Sequence, residues 1–195
     1  IGAIVGCQPF GGEGLSGTGP KAGGPHYLPR FAFNERITLH DTWPTRADAQ
    51  ALADALNREP SPTTIRTQTM PGPTGESNQL SLLPRGAVLC LGPGETAAKA
   101  QATAVNALGG VAVQANGYVA PESLTRLNLA CAVWWGDKAT GRAYELALAA
   151  RRGPIISLIC GQPDAAHVLR ERLVSIDTTA AGGNPELLVA AARTH

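Results

Sequence analysis

From residue 86 onward the chain alternates short apolar runs with helix-patterned segments. Residues 87–91 (AVLCL), 111–115 (VAVQA), 130–135 (ACAVWW) and 154–160 (PIISLIC) read as strands. Between them, residues 94–108 (GETAAKAQATAVNAL), 121–128 (PESLTRLN) and 139–152 (ATGRAYELALAARR) read as helices. Near-continuous apolar strands separated by helices are buried on both faces, which predicts a parallel sheet in an α/β layer structure.

The first part of the chain is patterned differently. Residues 1–6 are β-like, and residues 25–33 could form a short helix that Pro29 begins or interrupts. Residues 35–42 (ERITLHDT) alternate, with Ile37 and Leu39 on one face and Thr38 and His40 on the other, which predicts a half-buried strand. Thr45 with Asp48 resembles a capping box opening a helix over 46–57, with Leu52 and Leu56 one turn apart. Residues 58–79 carry Pro60, Pro62, Pro71 and Pro73 among many Ser, Thr and Gln, and read as an extended connector. Glu35-Arg36 and Asp41-Thr42 are echoed at the same spacing by Glu171-Arg172 and Asp177-Thr178, so 35–42 and 171–178 are expected to pair in one sheet.

Composition narrows the function classes. Over 195 residues, 44% hydrophobic and 16% charged residues describe a globular chain, and length allows one or two domains. A net charge of +1 with 5% aromatics gives no footing for a nucleic-acid partner or an anionic membrane. No apolar run approaches the ~18 residues of a membrane span. The chain opens on IGAIVG with no initiator Met, which is expected of a strand cut into and hence of a piece of something longer. Cys7, Cys90, Cys131 and Cys160 are far apart, and the last three sit in apolar runs. Neither a disulfide framework nor a metal site is expected, and a cytoplasmic setting fits.

The candidate chemistry lies at 8–27, QPFGGEGLSGTGPKAGGPHY. Gly6, Gly11, Gly12, Gly14, Gly17, Gly19, Gly23 and Gly24 crowd this region, with Pro9, Pro20 and Pro25 among them. Glycine at that density permits positive φ and close backbone approach at a large entropic cost, which points to backbone N–H groups facing a ligand. A phosphate-cradling P-loop is excluded because Pro20 separates Gly19 from Lys21 and Ala22 has no hydroxyl. A nucleophile elbow fails because Thr18 stands where glycine is required after Ser16, so a hydrolase built on Ser16, His26 and Asp41 is disfavoured. A second motif, Gly92-Pro93-Gly94-Glu95-Thr96-Ala97, matches GxGxxA at a first βα turn, making Gly92 and Gly94 weak candidates for a dinucleotide's pyrophosphate. Pro93 stiffens that turn and no acidic residue ends the next strand, so a turn without ligand is the better reading. Trp134 and Trp135 are expected in the core or an interface, and His40 and His167 have no metal or acid–base partner in sequence.

Pro9-Phe10-Gly11-Gly12 and Ser16-Gly17-x-Gly19 resemble the signature that ends the catalytic domain of the aldehyde dehydrogenase superfamily. The extended form with Lys21, Gly23-Gly24 and Tyr27 resembles the glutamate-semialdehyde (Δ1-pyrroline-5-carboxylate) dehydrogenases. Residues 72–90 and 175–184 (SIDTTAAGGN) are similar to the long, bifunctional bacterial flavoenzymes of that superfamily, and the likeness covers the full chain. The resemblance implies an NAD-dependent oxidation in proline catabolism, with NAD and FAD held by other parts of the parent chain. Gly23 and Gly24 would anchor the aldehyde substrate's carboxylate, Phe31 would pack on its carbon chain, and Phe10 would line the entrance.

The implied layout is a catalytic-domain end with flap strands over 1–57, a linker over 58–85, a non-catalytic Rossmann-like domain over 86–168, and a flap strand with a lid over 169–195. Partners would be the rest of the parent chain, the aldehyde and other copies in a homo-oligomer. The superfamily's nucleophilic Cys and general-base Glu have no counterpart here, and Cys7 does not match the nucleophile's motif, so no catalytic residue is expected. A purely structural or assembly module and an independent nucleotide-binding domain remain as alternatives.

Overall fold

The computed structural model describes residues 3–32, 34–58 and 63–177. Its elements are α1 (Ala49–Leu56), β1 (Arg66–Met70), β2 (Glu76–Pro84), β3 (Ala87–Cys90), α2 (Gly94–Ala107), β4 (Val111–Gln114), β5 (Cys131–Val133), α3 (Lys138–Ala149), β6 (Ser157–Ile159), α4 (Ala165–Val168) and β7 (Leu169–Asp177). Single 3-10 turns cover Leu28–Phe31 and Pro121–Thr125. The result is a mixed α/β fold with one parallel and one antiparallel sheet.

The parallel sheet runs β4-β3-β5-β6, as the apolar runs predict. Every residue of β3 and β5 is buried, and alternation divides them between two cores. Leu89, Ala132 and Trp134 face a cluster with Leu52 and Leu56 of α1, Leu124, and Tyr144 and Leu148 of α3. Val88, Cys90, Cys131 and Val133 face the other cluster with Ala102 and Val105 of α2, Ile159 and Val168. Helices on both sides therefore cover the sheet, each by its one apolar stripe. Trp134 stacks edge-on against Tyr144 with ring centroids 5.2 Å apart, so both tryptophans serve the core, at 4% and 5% exposure. Asp48, the last residue of the expected capping box, is itself the N-cap of α1, its carboxylate accepting from Gln50 and Ala51 N–H.

The antiparallel sheet corrects two expectations. Residues 66–70 and 76–84, read from composition as extended connector, are strands β1 and β2. Pro71 and Pro73 fall in the turn between them, so these prolines punctuate a hairpin. Residues 35–42 are not a strand and do not pair with 171–178. β7 instead pairs β2 over nine residues, from Glu76 opposite Asp177 to Pro84 opposite Leu169. The alternation at 35–42 is used differently: Ile37 N–H donates to the Cys160 carbonyl and Leu39 N–H to that of Trp135, each a single bond to a strand end. The expected strand at 1–6 also fails where it is described, since Cys7 and Gln8 N–H close a turn onto the Ile4 carbonyl. Ile1 and Gly2 lie outside the described residues.

Leu89 is fully buried in the middle of the central strand. Leu89→Ala should lower the unfolding free energy by about 2–5 kcal/mol in denaturant titration. Ile155→Ala, at a side chain 74% exposed, should stay within about 0.5 kcal/mol of the parent.

Candidate functional site

The glycine-rich segment folds as a tight double loop. Phe10 and Ala22 form an antiparallel bridge, their N–H groups donating to each other's carbonyls at 3.1 and 2.7 Å. Glu13 and Thr18 bridge at the next level, and Gly6 N–H reaches the Gly23 carbonyl. Gly23 sits at φ +71, a left-handed conformation closed to most side chains, and turns the backbone back on itself. Gly24 N–H donates to the Lys21 carbonyl at 3.2 Å, and the Gly24 carbonyl accepts from Tyr27 N–H. Tyr27 in turn holds the Phe31 ring edge-on at 5.3 Å. The structure thus gathers all four sequence-derived site residues into one unit: Phe10 through Ala22 to Gly23, and Gly24 through Tyr27 to Phe31. Phe10 is 51% and Phe31 71% exposed, so both rings face outward from it.

Two residues that motif reading missed hold this loop from outside. Arg85 lies between β2 and β3; its Nη1 donates to the Thr18 carbonyl at 2.7 Å, and its Nη2 lies 3.0 Å from the Glu13 carboxylate. Its Nη2 and Nε also reach the carbonyls of Ala166 and Leu169. Gly19 sits at φ +62, a conformation that favours glycine, and a Cβ there would lie 2.7 Å from Arg85 Nη2. Glu171 of β7 is 8% exposed, and its Oε2 accepts Lys21 N–H at 2.6 Å. The alternation of LRERL gave a usable signal, because Leu169 and Glu171 share a parity and both are buried.

The GxGxxA turn is arranged against a dinucleotide. Strand order reverses between β3 and β5, where open α/β sheets ordinarily take ligands at the strands' C-terminal ends. Here residues 34–47 run across those ends as a strap. Ile37 bonds the Cys160 carbonyl after β6, Leu39 the Trp135 carbonyl after β5, and Trp43 Nε1 the Leu91 carbonyl after β3. Thr45 and Ala47 bond Tyr118 beyond β4. The Asp41 carboxylate lies so close to Gly94 that a Cβ there would collide with it. A pyrophosphate at the first turn of α2 would have to displace that side chain. Gly92, at φ +95, has its N–H and carbonyl taken up by the buried Gln101 side chain. What remains is a cleft of about 410 Å³ between strap and sheet, lined by Leu39, His40, Asp41, Trp43, Pro93 and Tyr118 among others. These residues do not fit NAD.

Burial pushes the Cys90 thiol up to about 12, with the neighbouring Cys131 adding to the effect. Burial does the same for Cys131, also to about 12, against the charges of Arg85 and Arg30. Cys160 is likewise raised by burial. A nucleophilic Cys needs its thiolate, which these surroundings disfavour; Cys90 and Cys131 are core residues, and Cys160 is half-buried. His167 belongs to the cap of α4, its Nδ1 accepting Asp164 N–H while its own N–H donates to the Asp164 carboxylate. Among the described residues no group of three or more His, Cys, Asp or Glu is placed to hold a metal, and no helix is long and apolar enough to cross a membrane.

No protein-family model matches the chain. Among curated proteins it is 36% identical to the bifunctional protein PutA of Salmonella typhimurium, over 96% of this chain. The same identity and coverage hold for PutA of Escherichia coli, and 33% identity over 96% of the chain for that of Rhizobium meliloti. The chain is a homologue of the bifunctional PutA proteins. It spans 18% of the length of the Salmonella and Escherichia PutA proteins. A stretch of 27 residues is also 74% identical to the 1-pyrroline-5-carboxylate dehydrogenase of Bacillus thuringiensis. Among solved structures, PutA from Corynebacterium freiburgense matches with TM-score 0.48 and 22% identity, covering 90% of this chain and 19% of that one.

The thiol environments carry a pH signature. Below pH 9 folded and unfolded chains both keep the Cys90 and Cys131 protons; between pH 9 and about 12 only the unfolded chain releases them. Stability should therefore fall across that window, and Cys90→Ala with Cys131→Ala should flatten the fall in denaturation curves taken at successive pH values.

Proposed function

We propose that this chain is part of an NAD-dependent dehydrogenase that oxidises L-glutamate γ-semialdehyde, the open form of 1-pyrroline-5-carboxylate, to L-glutamate. Its own share of the work is to hold the substrate's carboxylate at Gly23 and Gly24. The observation that carries this reading is the 74% identity to 1-pyrroline-5-carboxylate dehydrogenases over 27 residues. The loop's geometry supports it. Gly24 N–H makes only a 3.2 Å bond to a neutral carbonyl, and a carboxylate is the stronger acceptor. Phe10 and Phe31 flank the glycines with exposed rings that suit the apolar part of a short aldehyde.

NAD accepts the hydride in such an oxidation, and the strap across the parallel sheet argues that its pocket is elsewhere in the enzyme. The nucleophile belongs elsewhere too, since Cys90, Cys131 and Cys160 are held as neutral thiols. FAD would serve the parent's proline dehydrogenase activity. Residues 169–177 form a strand, and the lid reading of the terminal TTAAGGN lies outside the described residues. The setting proposed is the cytoplasm, in a homo-oligomer.

A second reading, that the segment serves assembly alone, draws on Val5, Leu15 and Leu28, which are 75%, 84% and 78% exposed beside the loop. Gly24→Val in the full-length enzyme separates the two. A Cβ at Gly24 would lie 3.1 Å from both the Lys21 carbonyl oxygen and Pro9 Cβ, so a branched side chain distorts the turn. The anchor reading expects the KM for the semialdehyde to rise roughly tenfold or more, the loss of a charge-assisted bond. An unchanged KM with an altered oligomeric state would instead establish the assembly role. Residues 1–195 alone, given NAD and the semialdehyde, should form no NADH.

A further inference from the structure

The buried carboxylate of Glu171 is not explained by folding alone. β7 emerges from the Rossmann-like unit, and Glu171 stands opposite Leu82 of β2 on the face that is turned inward. An apolar residue at that position would complete the face with Leu169. Instead a carboxylate is 92% withdrawn from water, being 8% exposed, which is costly unless its oxygens are bonded. One oxygen is: Oε2 takes Lys21 N–H at 2.6 Å, a short, charge-assisted bond spanning 150 positions of sequence. The other, Oε1, has no hydrogen-bond partner and lies 3.5 Å from where a Cβ of Gly24 would be.

Lys21 is the residue whose carbonyl receives Gly24 N–H, and its Nζ donates to the Gly11 carbonyl across the loop. Lys21 opens the turn and is held at its N–H by Glu171 and at its Nζ by the Gly11 carbonyl, so its place does not depend on the Gly24 bond that a substrate carboxylate would replace. We infer that Glu171 is a positioning residue for the carboxylate-binding turn: a side chain from β7 sets the orientation of the Lys21–Gly24 peptides, so that recognition of the substrate's carboxylate depends on a strand far along the chain. The inference rests on the anchor reading of Gly23 and Gly24. It adds that the turn does not hold its binding geometry unaided, a misplacement of about 1 Å being worth up to about 100-fold in such sites.

The test uses the full-length enzyme and two aldehydes, glutamate semialdehyde and butanal, the second having no carboxylate. Glu171→Ala should lower kcat/KM for the semialdehyde at least ten times more than for butanal, with the loss in KM. Glu171→Gln, which keeps an acceptor for Lys21 N–H at the same reach, should restore most of the difference. Equal losses on both aldehydes would reduce Glu171 to a structural role and overturn the inference. So would an unchanged KM in Glu171→Ala when Gly24→Val raises it, which leaves the anchor standing. If neither variant moves the semialdehyde KM, the anchor reading fails and the inference falls with it.

Discussion

One arginine ties three parts of this molecule together. Arg85 occupies the short link between the antiparallel hairpin and the first strand of the parallel sheet. Its guanidinium meets the Thr18 carbonyl and Glu13 carboxylate of the glycine loop, and the Ala166 and Leu169 carbonyls where α4 passes into β7. Its own backbone N–H donates to Val168. Only a planar, permanently charged group with several fixed donors can serve acceptors arrayed in this way, and a lysine at the same place would satisfy them one at a time. With the side chain 16% exposed, removing it would leave a half-buried carboxylate and several carbonyls without their partner together. The loop has little apolar burial of its own, so its position relative to the sheets depends on such polar ties.

The parallel sheet was legible in the sequence because its strands are buried on both faces, and unbroken apolar runs have few other uses. The stretch 58–85 was not legible. Its prolines dominate the composition, yet Pro71 and Pro73 merely mark a turn, while Asn78, Leu80 and Leu83 of β2 are buried by a partner 90 or so residues away, a contact no local pattern encodes. Residues 35–42 failed for the opposite reason. Their alternation is real, but single bonds to the ends of existing strands use the same parity as a ladder would.

The site was legible in one half. Glycine density located the loop, since positive φ at Gly19 and Gly23 leaves a compositional trace, and the resemblance to a known signature named the residues within it. What holds the loop left almost none. Arg85 and Glu171 are ordinary charged residues in sequence, and their roles exist only once β2 and β7 have brought them against residues 13–24. Glu171 alone betrays itself, by falling on the buried parity of its strand.

The strap over the parallel sheet gives the Rossmann-like unit a permanent guest. Because residues 34–47 are joined to the same chain, they confront the crevice at an effective concentration in the millimolar range, whatever the surroundings contain. A free metabolite would compete with that guest at every encounter, and would have to displace Trp43, Leu39 and the Asp41 charge together. An opening that in other α/β proteins admits cofactors has thereby become a socket, and its occupant is the same segment that leads out of the glycine loop. Such a joint transmits position rather than chemistry: wherever the parallel sheet is carried, the base of the loop is carried with it.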